Sequence, residues 1–523
     1  MSAVYIAGVG MTKFGKSAQT LVDLFCDAAA AALSNSKIQE VDALYIGAMN
    51  PEEFTGESNI AAQVADALGV SGVPALRVET ASSAGASALH AACHAVASGY
   101  YRSVLVIGGE KMTHLTTSAA TRILAEVIER QERLCGATMP ALAAMITERY
   151  RQRYRLSSAQ LERVLCLVAM KNHLNGARNP FAQFQKPITK ETYFASKLVS
   201  TPLRLYDCSP MTDGAAAVLL TSETTDLIVS GIGQGTGPAG LRERKSFTSF
   251  EATRTAAERA YRMAGIAPKE IDFAEVHDAF TPFEIISTED LGFFPAGKGW
   301  QAVEEGRTSI DGELPINPSG GLKARGHPVG GSGVAQVVEV AERLRGNVKT
   351  KSKREPRRAL AQSTGGLGAN NLVTIIERVV RPAHHPEETR RVEGARRQNS
   401  WTPPPNHARP IRRQKSTPAA PSEEGLIETF TVLYVTPDGF LPPLALALVR
   451  DRAGQLIMAQ GEDVGHLKIG RDVYLRQLDG GYVFTVKSHL RKVREAMRQL
   501  VRGLPSLPRG AKKKTPGRKE DKP

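Results

Sequence analysis

From residue 4 to about 225, short apolar runs alternate with longer helical ones, and this rhythm restricts the chain more than any other feature. VYIAGVG, VDALYIGAM, ALRVET and YRSVLVIGGEKM read as strands, with LVDLFCDAAAAALSNS and NIAAQVADALG as helices among them. Such alternation predicts a layered α/β architecture around a largely parallel sheet. ALRVET then passes through Thr80, Ala81, Ser82 and Ser83 into an alanine-rich run without proline. That run is predicted as a helix over 83–98, with Gly99 as its stop. Unpaired N–H groups at a helix start favour developing negative charge, so a side chain at this elbow can act as a nucleophile beside an oxyanion site. Ser82 holds that place. Serine also caps helices, which is the structural alternative for Ser82 and Ser83.

Beyond this point, Leu134 to about Leu205 reads as a mostly helical insertion forming a lid or wall, and DGAAAVLLTS (213–222) returns to the sheet. A second α/β unit follows over 226–380, with a helix over 250–264, the strand IDFAEVHDAF, a loop rich in Gly and Pro, and a helix over 332–345. A last strand pair surrounds RALAQSTGGLGANNLVTIIER. In each unit small residues form an elbow that launches a long helix, at Ser82–Gly85 and at Gly326–Gly333, which predicts an internal duplication. The expected parts are therefore 1–225 and 226–380, two halves of one fold, and then a Pro- and Arg-rich linker over 381–424. Five short strands over 425–488 predict a small β-barrel of OB type. Residues 489–523 are expected to be a basic amphipathic helix and a disordered tail.

Charge supports this division. The 523 residues carry a formal +14, and segments 381–424 and 502–523 together account for ten of those charges. The high pI thus belongs mostly to linker and tail, and a solubilising tail is favoured over a nucleic-acid partner. The five cysteines are scattered without a CxxC, so neither a disulfide framework nor a Cys-based zinc site is indicated, and a reducing, cytoplasmic setting is expected. The N-terminal run lacks a signal-peptide pattern, the ending EDKP is not a peroxisomal address, and no apolar run is long enough to span a bilayer.

Three further stretches invite chemistry. EVHDAF (275–280) puts His277 and Asp278 at the end of an apolar strand. NPSGGLKARGHPVGGSG (317–333) puts His327 in a glycine-dense turn before a helix. AQSTGGLGA (361–369) puts Ser363, Gly365 and Gly366 at a strand end. Gly-rich turns free backbone N–H groups to face a ligand, and histidine moves protons near neutrality. His90 and His94 have the i, i+4 spacing of metal ligands but no acidic partner on their alanine helix, so no metal is expected there. Asp213–Gly214 reads as a turn.

Taken together, these stretches resemble the thiolase superfamily, closest to the sterol-carrier-protein-type thiolases, over about residues 3–380. HDAF and GHPVGGSG carry the resemblance, with KNHLNGARNP (171–180), PLRLYDCSPMTDGAAAV (202–218) and LGFFPAGKG (291–299). It implies a thiolase fold of two pseudo-twofold-related α/β halves that binds acyl-CoA between them, as a homodimer or tetramer. It also implies His327 as the base that activates a nucleophile at Ser82. His277, together with His327, would hold one thioester oxygen, and the N–H groups of Ser82 and Gly365 would form a second oxyanion hole. In that family sulfur stands where this chain has Ser82 and Ser363. A serine hydroxyl is far less acidic than a thiol, so Ser82 needs a base at the moment of attack.

The 425–488 barrel resembles the OB domain of the DUF35 family, acyl-CoA-associated partners of thiolase-like enzymes. Its preceding linker has no Cys, so no zinc is expected, and no tightly bound cofactor is expected elsewhere, coenzyme A and acyl-CoA entering as substrates. A thiolase-like or DUF35-like partner subunit is a further expectation. The implied function is acyltransferase chemistry, thiolytic or Claisen-type, on an acyl-CoA in lipid metabolism. Two alternatives are a non-covalent acyl-CoA lyase (retro-aldol or decarboxylation) using His277 and His327, and an inactive CoA-binding scaffold.

Overall fold

A computed structural model describes residues 2–347, 355–379, 422–437, 439–478 and 481–487. Most of the expected linker, and the expected basic helix and tail, lie outside the described residues.

The first half supplies β1 (Tyr5–Met11), β2 (Ala43–Gly47), β3 (Ala75–Val78) and β4 (Ser103–Glu110). An insertion containing the short strands β5 (Leu198–Ser200) and β6 (Leu203–Arg204) precedes β7 (Gly214–Thr221). The second half supplies β8 (Leu227–Thr236), β9 (Phe273–Glu275), β10 (Arg358–Gly365) and β11 (Asn370–Arg378). These strands, apart from β5 and β6, form one nine-stranded sheet in the order β3-β2-β4-β7-β1-β8-β11-β10-β9. The order β9-β10-β11-β8 repeats β2-β4-β7-β1, so the expected duplication is present. The halves join where Tyr5 pairs with Ile228.

The expectation of a largely parallel sheet is corrected. Only β2 with β3 and β4, and β9 with β10, run parallel. The other pairs are antiparallel, because the chain returns from the insertion against β4, Ser103 facing Thr221, and β10 turns directly into β11.

One face of the sheet carries α1 (Leu21–Ser34), opened by a Thr20–Asp23 capping box. The opposite face carries α2 (Ala84–Ala97). Two helices of the insertion follow, α3 (Met139–Arg153) and α4 (Ser158–Gly176). In the second half, α5 (Glu251–Ala264) takes the place of α1, and α6 (Val329–Leu344) that of α2. The last begins three residues before the expected 332, so Gly330, Gly331 and Gly333 lie inside the helix. All its residues but Glu342 are buried, and α2 and α6 share one apolar core with the sheet.

The C-terminal strands are β12 (Glu424–Leu433), β13 (Leu444–Asp451), β14 (Leu456–Gly461), β15 (Asp472–Leu478) and β16 (Gly481–Val486). They close into a small barrel in the order β12-β13-β14-β16-β15-β12, with β14 and β16 parallel. The barrel is not separate from the rest. β12 also pairs with β5 at Leu433 and Ser200, and Leu433, Leu444, Leu446, Leu448 and Met458 pack into one core with α3 and α4. No helix among the described residues is long and apolar enough to cross a membrane.

Candidate active site

Four chain segments converge at the ends of β3, β9 and β10 and the start of α6. At the first, Ala81 takes the left-handed conformation with φ 56°, and its N–H is held by the Glu79 carboxylate. Ser83 stands at the start of α2 without capping it, because its hydroxyl donates to the Thr80 carbonyl at 2.7 Å. Ser82 is left half-buried at the turn.

The strand end of β10 closes against this elbow. A Cβ on Gly365 would fall 2.1 Å from the Thr80 carbonyl oxygen and 2.4 Å from Ser83 Oγ, so only glycine fits. Ser363 is 2% exposed and its hydroxyl has no hydrogen-bond partner. That orphan hydroxyl faces the first turn of α6, at 3.0 Å from where a Gly333 Cβ would lie.

His277 and His327 meet edge to face, with ring centroids 5.1 Å apart and planes at 89°. The Thr364 N–H donates to His277 Nδ1 at 3.2 Å, which places the proton of the neutral ring on Nε2 as a donor. Burial, then the neighbouring His327 and Arg325, hold the His277 pKa well below its usual value. His327 keeps some solvent contact, yet enclosure by protein and then the Arg325 charge lower its pKa to about 3. Its Nδ1 shares a 2.7 Å hydrogen bond with Ser332 Oγ, and its N–H donates to Thr212 Oγ1 at 2.9 Å. Both rings are therefore neutral at pH 7, one able to donate and the other able to accept.

A buried polar frame holds these loops. Asp278 accepts from Asn172 Nδ2 at 2.7 Å and from the Leu322 N–H at 2.6 Å. Glu284 takes Asn172, Asn317 and Lys171, while the Asn317 amide oxygen accepts the Val276 N–H at 2.8 Å. Burial, then Glu284, push Asp278 up to about 7.

The sequence missed this frame, and it missed Ser332 as the partner of His327. The spacing offered a signal for Ser332, which lies five residues on, within the first turn of the helix that the glycine turn launches. The expected turn at Asp213–Gly214 is corrected: Asp213 bridges to Gly15 and leads straight into β7. Its buried carboxylate latches Met112 N, Thr113 N and Ser17 N at 2.7–3.1 Å. His90 is buried with a ring nitrogen 2.9 Å from Thr374 Oγ1.

Residues 4–224 match the family model described as "Thiolase, N-terminal domain", and 233–378 match "Thiolase C-terminal domain-like". The chain belongs to the thiolase superfamily. An acetyl-CoA acetyltransferase of Methanothermobacter thermautotrophicus is 38% identical over 390 residues, covering 72% of this chain and all of that protein. Benzoylsuccinyl-CoA thiolase subunit BbsB of Thauera aromatica is 33% identical over 69% of this chain and 94% of its own length.

Among solved structures, a monomeric SCP2-thiolase-like protein type 1 from Mycobacterium smegmatis superposes with a TM-score of 0.68 at 16% identity. That match covers 93% of this chain and 99% of the other. The Ltp2-ChsH2(DUF35) aldolase superposes with a TM-score of 0.62 at 24% identity, over 72% of this chain and 99% of that one. These two likenesses establish the thiolase fold.

Proposed function

We propose that this thiolase-superfamily chain is an acyl-CoA enzyme that transfers or cleaves an acyl group at the thioester carbonyl. The observation that carries this reading is the contact between two neutral imidazoles beside a glycine-bounded strand end and a helix start. In it, His327 accepts the Ser82 proton as the hydroxyl attacks the thioester carbon, and Ser332 orients the ring. The N–H groups of Ser82 and Gly365 stabilise the developing oxyanion, and the Nε2–H of His277 serves the other thioester-oxygen site. Collapse of the tetrahedral adduct breaks the C–S bond, His327 protonates the departing CoA sulfur, and an acyl-serine remains. Relatives named acetyl-CoA acetyltransferase and benzoylsuccinyl-CoA thiolase support the acyltransferase class.

The hydroxyls at Ser82 and Ser363 favour a second reading, a non-covalent retro-aldol or decarboxylating lyase that needs His277 and His327 alone. The barrel's strand order and its parallel β14–β16 pair support an OB-type, DUF35-like module fused to its thiolase-like partner.

Intact-protein mass spectrometry after incubation with a panel of acyl-CoAs separates the readings. An acyl adduct that disappears in Ser82→Ala is expected. Turnover that survives Ser82→Ala but not His327→Ala moves the assignment to the lyase. CoA binding with no turnover of any acyl-CoA overturns the enzymatic reading in favour of a scaffold.

A further inference from the structure

His277 sits where strand β9 gives out. β9 pairs with β10 only as far as Glu275 and Ala361, so beyond that point the edge of β10 is open to the His277 ring. Gln362 and Thr364 are two residues apart on β10 and share one face of it, and Asn371 lies directly opposite Thr364 on β11. All three are buried, and the mechanism above uses none of their side chains.

Those side chains make a closed polar triangle. Gln362 Nε2 donates to Thr364 Oγ1 at 2.7 Å and to Asn371 Oδ1 at 3.2 Å, and the Thr364 hydroxyl donates to the same Asn371 oxygen at 2.8 Å. A third donor, Thr253 Oγ1 on α5, reaches that oxygen at 2.8 Å, while Asn371 Nδ2 donates to the Gly368 carbonyl at 3.0 Å. Asn371 therefore ties the end of β10 to the start of α5 and to the glycine turn between β10 and β11. Gln336 of α6, the helix that follows His327, donates to the Gln362 carbonyl at 2.8 Å.

The triangle leaves one direction for each remaining group. Both Nε2 hydrogens of Gln362 are spent, so Oε1 faces the His277 N–H and accepts it at 2.9 Å. Turning the amide over would set N–H against N–H at His277 and oxygen against oxygen at Asn371. Thr364 is anchored through its hydroxyl, and its N–H meets His277 Nδ1 at 3.2 Å. One strand thus grips His277 at both backbone and ring, and the ring nitrogen left over carries the proton. Free imidazole populates both tautomers; here the Nδ1–H form would push hydrogen against hydrogen at Thr364.

We propose that Gln362 and Asn371 are positioning residues, which hold the Thr364 N–H on His277 Nδ1 and so present Nε2–H, fixed in tautomer and direction, to a thioester oxygen. The role in the reaction rests on the acyl-CoA reading above. A donor aimed before charge develops needs no reorganisation at the moment of reaction, and a closed buried network resists re-orientation.

The test is nitrogen NMR of the full chain labelled in histidine, with His277 assigned by the loss of its signals in His277→Asn. In the wild type, Nε2 is expected as a protonated ring nitrogen and Nδ1 as an unprotonated one, with no second form. In Gln362→Met and Asn371→Leu both tautomers are expected, while the His114 ring, bonded to the Phe54 carbonyl at 2.9 Å, keeps its signals. Thr364→Val, which removes only a hydroxyl, is expected to give part of this change, and Thr364→Ser to restore the wild-type spectrum. A wild-type ring protonated on Nδ1, or a single unchanged tautomer in the folded variants, overturns the proposal. If Gln362→Met and Asn371→Leu do not fold, Thr364→Val decides. The carba analogue of acetyl-CoA, with a methylene in place of the thioester sulfur, is then added to the wild type, and a shifted Nε2 signal is expected. No shift, with the tautomer single in the wild type and mixed in the variants, counts against the acyl-CoA reading and leaves the clamp on His277 standing.

Discussion

A Cβ on Gly85 would stand 2.3 Å from the carbonyl oxygen of Gly330. The first turns of α2 and α6 thus touch backbone to backbone, which ties the Ser82 elbow of one half to the glycine turn of the other. Gly85→Ala forces these helices apart and is expected to cost about 3 kcal/mol, the upper end of ordinary overpacking. Gly237→Ala meets nothing nearer than 3.7 Å and is expected to stay within roughly 0.5 kcal/mol of wild type. Urea denaturation of both variants gives the comparison.

Ser332 acts on the reaction through His327. Removing its hydroxyl in Ser332→Ala frees the imidazole to rotate, and one neutral hydrogen bond of about 1.4 kcal/mol corresponds to about a tenfold fall in kcat. KM is expected to change little. A fall in KM affinity with kcat intact would contradict the positioning role.

Burial lowers the His327 pKa, so the protonated form is disfavoured in the folded chain. The base form is then present down to about pH 3, and kcat/KM should show no acid limb near 6.5. The same shift sets the stability slope. Between about 3 and 6.5 the unfolded chain binds the proton and the folded chain does not. Stability from His327 is therefore fully present above 6.5 and is lost as pH falls through that window. A pH–rate profile and acid unfolding monitored by fluorescence check the two halves of this prediction.

Asp278 holds the loop after His277 to the turn that begins at Gly321. Asp278→Ala leaves the Leu322 N–H without its acceptor and the Asn172 amide with Glu284 alone, in a buried setting, at a cost of about 3 kcal/mol. Thermal melting should fall by several degrees, and activity should fall with it.

Leu448 of β13 is buried in the core shared with α3. Leu448→Ala is expected to cost about 3 kcal/mol and to lower a single unfolding transition. Two separated transitions in calorimetry would mean that barrel and insertion unfold independently.

Much of this was legible in the chain itself. The alternation of apolar runs marked the layers, and the glycine-dense motifs marked His277, His327 and Gly365 because an open backbone near a ligand leaves a compositional trace. Strand direction was not legible. Nothing in the run 213–222 tells a returning strand from a parallel one, since both are apolar throughout when buried on two faces. The frame of Asn172, Glu284 and Asn317 was also hidden. It joins residues 33 to 112 positions apart, and no local spacing signals a long-range hydrogen bond.

Strand β12 lies beside β5, and the chain that leaves β5 and β6 runs through Tyr206 and Cys208 to Met211, alongside His327. The C-terminal module therefore grips the same ribbon that runs alongside His327. A chain cut before residue 422 would lose more than a tethered passenger: the ribbon would lose its bracing, and the α3 surface would lie bare.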